Sequence, residues 1–202
     1  LAGTSGGGHM AMLMAGYHPE RFSAVSAWVG ISDLAAWYQF HVRDGKPQRY
    51  AQMVVKSCGG APGASAKVDQ EYKARSPIFH LHQTGDLPIH LYAGRHDGHT
   101  GSVPVSHTLN AFNVIAEAGG HEKVSEAEIQ QLLNDKPLEN PKSGDTDDSP
   151  TLGRKTYLQR KAGSARVTIF EGGHEGLPIP GCAWLAMQNR LTKKSSGTPS
   201  SN

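Results

Sequence analysis

The chain is poor in cysteine: Cys58 and Cys182 are the two among 202 residues. At most one disulfide is possible, and both are read as free thiols. Long apolar runs are missing, since none approaches the roughly 18 residues that a membrane-spanning helix requires. Charge of one sign is also scarce. With 20 Lys and Arg against 18 Asp and Glu, the net charge is +2, which leaves no basic stripe for nucleic acid and no acidic surface for a partner. Metal-ligand spacing is lacking as well. His96 and His99 flank Asp97 and Gly98 without a cysteine or further carboxylate at zinc spacing, so no metal is expected. Glycine is abundant, at 24 residues with 12 prolines, and marks a globular chain of many turns and crossovers.

The glycines are most telling at the start. Gly3-Thr4-Ser5-Gly6-Gly7 is a G-x-S-x-G nucleophile elbow, a sharp strand-to-helix turn that holds a serine in a strained conformation with its hydroxyl raised. Glycines two residues to either side, Gly3 and Gly7, are expected to remove collisions with neighbouring backbone. Met10, Leu13, Met14 and Tyr17 recur at helical spacing, which predicts an apolar stripe on the following helix, stopped by Pro19. Only Leu1 and Ala2 remain for the preceding strand, so the expectation is of a chain that begins in mid-element.

A serine hydroxyl needs a base within hydrogen-bond reach and an acid to orient that base. In α/β-hydrolases these follow in the order serine, acid, histidine, each at a strand end. Pro88-Ile89-His90-Leu91-Tyr92-Ala93 reads as a buried strand running into Gly94-Arg95-His96-Asp97-Gly98, which makes Asp97 the candidate acid. Arg166-Val167-Thr168-Ile169-Phe170 reads as a second strand, leading into Glu171-Gly172-Gly173-His174, which makes His174 the candidate base. A strand over Phe22 to Val29 ends in Gly30-Ile31-Ser32-Asp33, so Asp33 is an alternative acid, or else the cap of the helix that follows. Trp37, Tyr38 and Phe40 lie just past that strand end and are candidates for a substrate pocket, with packing under a local helix as the other reading.

Four stretches carry a family resemblance: Gly3-Thr4-Ser5-Gly6-Gly7-Gly8-His9-Met10-Ala11, Ala74-Arg75-Ser76-Pro77, Gly94-Arg95-His96-Asp97 followed by Val103-Pro104, and Glu171-Gly172-Gly173-His174. Together they resemble the catalytic domain of the prolyl oligopeptidase branch of α/β-hydrolases. The resemblance implies an α/β fold with a mostly parallel sheet flanked by helices, and a serine peptidase or esterase acting through an acyl-enzyme. Its substrate would be a peptide or small-molecule ester, and no cofactor is called for. Ser5 is implied as nucleophile, Asp97 as acid and His174 as base. Gly6 would supply one oxyanion-hole N–H, and the second donor belongs to a loop expected upstream of Leu1. The expectation is therefore the C-terminal part of a longer hydrolase, its N-terminal strands missing. A non-catalytic binding module and an inactive fragment are the alternatives.

The partial catalytic domain is placed at residues 1–191, with an insertion at about 119–155. A helix is expected near Gln48 to Ser57, and another after Pro104 with Val105, Leu109, Phe112 and Ala116 buried. Ser125-Glu126-Ala127-Glu128 is a capping box opening a short helix through Leu133. Asn134 to Gly153 has no apolar period and reads as a mobile surface loop, and Thr192 to Asn202 as a disordered tail.

Overall fold

The computed structural model describes residues 1–148 and 150–188. Strand β1 (Ala2–Thr4) turns into helix α1 (Gly6–Tyr17), and β2 (Val25–Trp28) is followed by α2 (Leu34–Phe40). A small hairpin, β3 (Val42–Arg43) with β4 (Lys46–Pro47), precedes α3 (Arg49–Cys58) and α4 (Ala66–Arg75). The chain returns to the sheet as β5 (Ile89–Gly94) and leaves it through α5 (Ser106–Ala118) and α6 (Glu126–Leu133). It continues with β6 (Thr156–Ala162), β7 (Ala165–Phe170) and α7 (Pro178–Ala186).

The main sheet has the order β1-β2-β5-β7-β6, parallel throughout except for β6, which runs antiparallel to β7. Every residue of β2 and β5 is buried, as expected of parallel strands covered on both faces. Strand alternation divides their side chains between two layers. Val25, Ala27, Ile89 and Leu91 share one core with Ala11, Met12 and Ala15 of α1 and Leu109 and Phe112 of α5. Ser26, Trp28, His90 and Tyr92 occupy the layer met by α7, where Trp184 stands edge-on to His90 at 5.2 Å between ring centroids. There the Trp28 ring stacks on Tyr92 at 3.8 Å and 3°, and Tyr92 stacks on His90 at 3.8 Å. The His90 ring is held from both sides, by the Tyr92 hydroxyl at 2.7 Å and Thr168 Oγ1 at 2.8 Å. Burial pushes the Tyr92 phenol up and the His90 imidazole well down.

Two local expectations need correction. The buried face of α1 is Gly8, Ala11, Met12, Ala15 and Gly16, whereas Met10 is 50% and Tyr17 42% exposed. Close approach decides this rotation, because a Cβ on Gly8 would lie 2.5 Å from the Trp28 carbonyl oxygen. Only a side-chain-free residue fits that contact, and the core face follows from it at helical spacing. Tyr17 instead reaches away, donating its hydroxyl to the Ala74 carbonyl at 2.7 Å. The elbow's glycine pattern is revised as well. A Cβ on Gly3 would lie 2.1 Å from Gly7 O, while one on Gly7 would meet nothing within 4 Å, so the tight pair is Gly3 and Gly8.

The segment from Asn134 to Gly153 is not a plain solvated excursion. Leu138 and Leu152 join the main core, and Asp145 is 1% exposed. Arg160 of β6 bonds both Asp145, at 2.6 Å, and Glu128, at 2.7 Å, so the buried carboxylate is paired. Two leucines 14 positions apart carry no periodicity, which hid this packing from the sequence. No sequence pattern marks β6, which buries Thr156, Leu158 and Ala162 and exposes the residues between more. α6 opens with the expected capping box, in which Ser125 and Glu128 bond each other's backbone N–H. The expected tail over Thr192 to Asn202 lies outside the described residues.

Candidate active site

Each residue singled out as nucleophile, acid or base sits just beyond a strand of the parallel sheet: Ser5 after β1, Asp97 after β5 and His174 after β7. The structure brings the three together. His174 Nδ1 lies 2.7 Å from Asp97 Oδ2, and His174 Nε2 lies 2.8 Å from Ser5 Oγ. A carboxylate only accepts, so Nδ1–H donates to Asp97. In the neutral ring Nε2 is then left to accept the serine O–H.

Local backbone explains how each side chain gets there. Ser5 has φ 56° and ψ -117°, a left-handed conformation that a side chain rarely adopts, and its N–H donates to Trp28 O at 2.9 Å. Asp97 is 2% exposed, and its other oxygen accepts from the N–H groups of Gly98 and Val103, both at 3.0 Å. The acid is thus fixed from two directions. Gly101 seals this arrangement, since a Cβ there would fall 2.2 Å from Asp97 Oδ1 and 2.6 Å from the Cβ of His174. At the start of α1, Gly6 N–H is one of the first amides of a helix, which have no intrahelical carbonyl to bond.

The remaining candidates fall elsewhere. Asp33 caps α2, its Oδ1 accepting from Ala35 N–H at 2.8 Å and Ala36 N–H at 3.1 Å, while both ring nitrogens of His174 are engaged by Asp97 and Ser5. Trp37 is buried in a second core with Ile31, Leu34 and Val103, and Tyr38 packs against it. Trp37 Nε1 donates to the Ser102 carbonyl at 2.7 Å, so this aromatic holds the loop behind the acid. Phe40 lines a cavity of about 310 Å³ with Asp97, His99, Pro104, His107 and Leu133. Among the described residues no group of three or more His, Cys, Asp or Glu is arranged to hold a metal ion.

Sequence reasoning missed two histidines beside the site, the buried His107 and the half-buried His9. His107 Nδ1 accepts from Ser32 N–H at 3.3 Å and Asp33 N–H at 3.4 Å, and burial pushes its imidazole down to about 4 despite the nearby Asp33 and Asp97. His9, one turn along α1 from Ser5, bonds the Ile31 carbonyl at 2.8 Å and is also pushed down by burial. His107 lies in no motif, and His9, although inside the Gly3–Ala11 stretch, carries no positional signal as a histidine alone.

A mostly parallel sheet with helices on its faces and a serine on the tight turn after a strand is the architecture of the α/β-hydrolases. Within that class the matching family model is the prolyl oligopeptidase family, over residues 1–125, and the chain belongs to this family. His174 lies beyond the matched residues. Among solved structures, the chain is similar to the Pyrococcus horikoshii acylaminoacyl peptidase in an orthorhombic crystal form, at 20% identity and TM-score 0.45, covering 60% of this chain and 17% of that one. The same enzyme, uncomplexed, gives 18% identity and TM-score 0.45 over 68% of this chain and 22% of that one. An acylaminoacyl peptidase in complex with Z-Gly-Gly-Phe-chloromethyl ketone gives 22% identity and TM-score 0.44 over 60% of this chain and 17% of that one. The chain therefore spans about a fifth of the length of these structures. No match was found among curated proteins.

Proposed function

We propose that the chain carries the catalytic triad of a serine peptidase, with Ser5 as nucleophile, His174 as general base and Asp97 as the acid that orients it. The observation that carries this reading is the continuous hydrogen-bonded line from the Ser5 hydroxyl through both nitrogens of His174 to the buried Asp97. As Ser5 Oγ attacks a peptide or ester carbonyl, His174 Nε2 takes its proton and Asp97 stabilises the resulting imidazolium. The proton then passes to the leaving amine or alcohol, which departs and leaves an acyl-serine. A water, deprotonated by the same nitrogen, releases the acid and restores the serine. Gly6 N–H is the oxyanion donor that this chain supplies, and removal of one such donor costs roughly 10²- to 10³-fold in turnover.

The test is covalent labelling by a fluorophosphonate probe on the full-length protein, which reports the activated serine whatever the substrate. Labelling of the wild type that disappears in Ser5→Ala supports the assignment. Undiminished labelling of that variant refutes it.

A further inference from the structure

Beside the proposed triad lies a second polar cluster that the reaction does not use. His96 stands between two carboxylates, with Nε2 2.7 Å from Glu171 Oε1 and Nδ1 3.2 Å from Asp135 Oδ1. The same Asp135 oxygen lies 2.7 Å from Arg95 Nε, and the Asp135 carbonyl accepts from Arg95 Nη2. The second oxygen of Glu171 accepts from the Tyr157 hydroxyl, and the Arg95 guanidinium lies 4.1 Å over the Tyr157 ring. Arg95 and His96 are the two residues before Asp97, and Glu171 is three residues before His174. The cluster therefore joins the acid turn to the base turn through side chains. The backbone makes the same link, with Arg95 N–H donating to Phe170 O at 2.8 Å and His96 N–H to Gly172 O at 2.9 Å.

Asp135 is the informative member. It follows Asn134, the C-cap of α6, and has φ 56°, a left-handed position at a helix end where glycine is the comfortable residue. An aspartate there bears a backbone cost that glycine would avoid. Its carboxylate is the part directed at Arg95 and His96. The Asp135 side chain is 40% exposed but that of Arg95 is 11% exposed, so losing this ion pair offsets part of the backbone relief that glycine would bring.

We infer that Asp135 and Glu171 are positioning residues, which grip Arg95 and His96 and so hold the turn bearing Asp97 in register with His174. The inference rests on the triad reading given above. It also gives α6, which lies in the long connection between the acid and base strands, a task in the reaction.

Asp135→Gly separates geometry from stability, because it relieves the backbone while removing the carboxylate that faces Arg95 and His96, leaving the carbonyl bond to Arg95 in place. In the full-length protein the expected result is a Tm close to that of the parent, as backbone relief and the lost ion pair offset each other, and kcat reduced roughly ten- to a hundredfold by displacement of the acid, with KM little altered. Amide hydrogen exchange over residues 94–101 should quicken, and Asp135→Asn, which keeps an acceptor oxygen, should recover part of the rate. Unchanged kcat together with unchanged exchange in Asp135→Gly overturns the inference. So does a loss of kcat that merely follows a loss of Tm. If wild-type protein fails to react with the fluorophosphonate, yet Asp135→Gly quickens exchange over 94–101, the triad reading fails and the grip on the turn is upheld.

Discussion

The ring of His174 stands 2.8 Å from the hydroxyl of Ser5, even though Ser5 is the N-cap of α1, where a serine ordinarily bonds the helix amides. The Ser5 side chain makes no capping bond, so the helix does not depend on it. Ser5→Ala is therefore expected to keep its unfolding free energy within about 0.5 kcal/mol of the parent, as for a side chain without a structural role. Denaturant unfolding checks this. A large loss of stability would mean that the hydroxyl serves the fold and not the chemistry.

Two aspartates at strand ends make opposite predictions. Asp97→Asn removes the acceptor that fixes the His174 tautomer, and turnover should fall by about 10⁴-fold with little change in KM. Asp33→Asn substitutes one good N-cap for another, so rate and stability should both stay near wild type. Steady-state kinetics on the pair decides the matter, and equal losses would remove Asp97 from its role.

Gly7 and Gly8 are neighbours with different surroundings. Gly8→Ala would force a methyl to within 2.5 Å of Trp28 O and 3.1 Å of Gly30 Cα, an overpacking expected to cost about 1–3 kcal/mol and to disturb the elbow. Gly7→Ala enters open space inside a helix and is expected to stabilise by about 0.4–1 kcal/mol. Thermal melts of the two variants give opposite signs if α1 is rotated as described.

Acid sensitivity should begin at mild pH. Burial pushes His107 down to about 4, and His90 moves in the same direction for the same cause. An unfolded histidine binds its proton as pH falls past about 6.5. Between there and about 4 the unfolded chain holds more protons than the folded one, so stability falls as pH falls, by up to about 1.4 kcal/mol per pH unit for each such histidine. Urea midpoints at pH 7 and pH 5 measure the slope, and His107→Gln should flatten it. Equal midpoints in the wild type at the two values would contradict the burial of neutral imidazoles.

The parts legible in the sequence are those set by local rules. Gly3 and Ser5 mark a turn that few residues can make, and the apolar run of β5 ends at a glycine-flanked carboxylate. The α5 stripe of Val105, Leu109, Phe112 and Ala116 is buried as its spacing implies, and the Ser125–Glu128 box opens α6. The parts that escaped depend on contacts made across the fold. α1 contains two stripes at helical spacing, and the more apolar one faces outward because small residues are needed against Trp28 and Gly30. The buried Asp145 sits in a polar stretch whose partner, Arg160, comes 15 residues later on a strand that alternates only weakly. Asp33 and Asp97 both fall at strand ends between Ser5 and His174, so order along the chain does not choose between them, whereas the structure separates them by what each carboxylate bonds.

The stacked Trp28 and Tyr92 rings bear on how this protein can be observed. Trp28 presents its ring to Tyr92 at 3.8 Å, while its carbonyl accepts the Ser5 N–H at 2.9 Å, so one residue is both a fluorophore and a backbone strut of the elbow. In a variant with Trp37 and Trp184 replaced by phenylalanine, Trp28 is the remaining tryptophan. Its quantum yield then becomes an optical gauge of whether the turn at Ser5 is intact, readable in solution without any substrate.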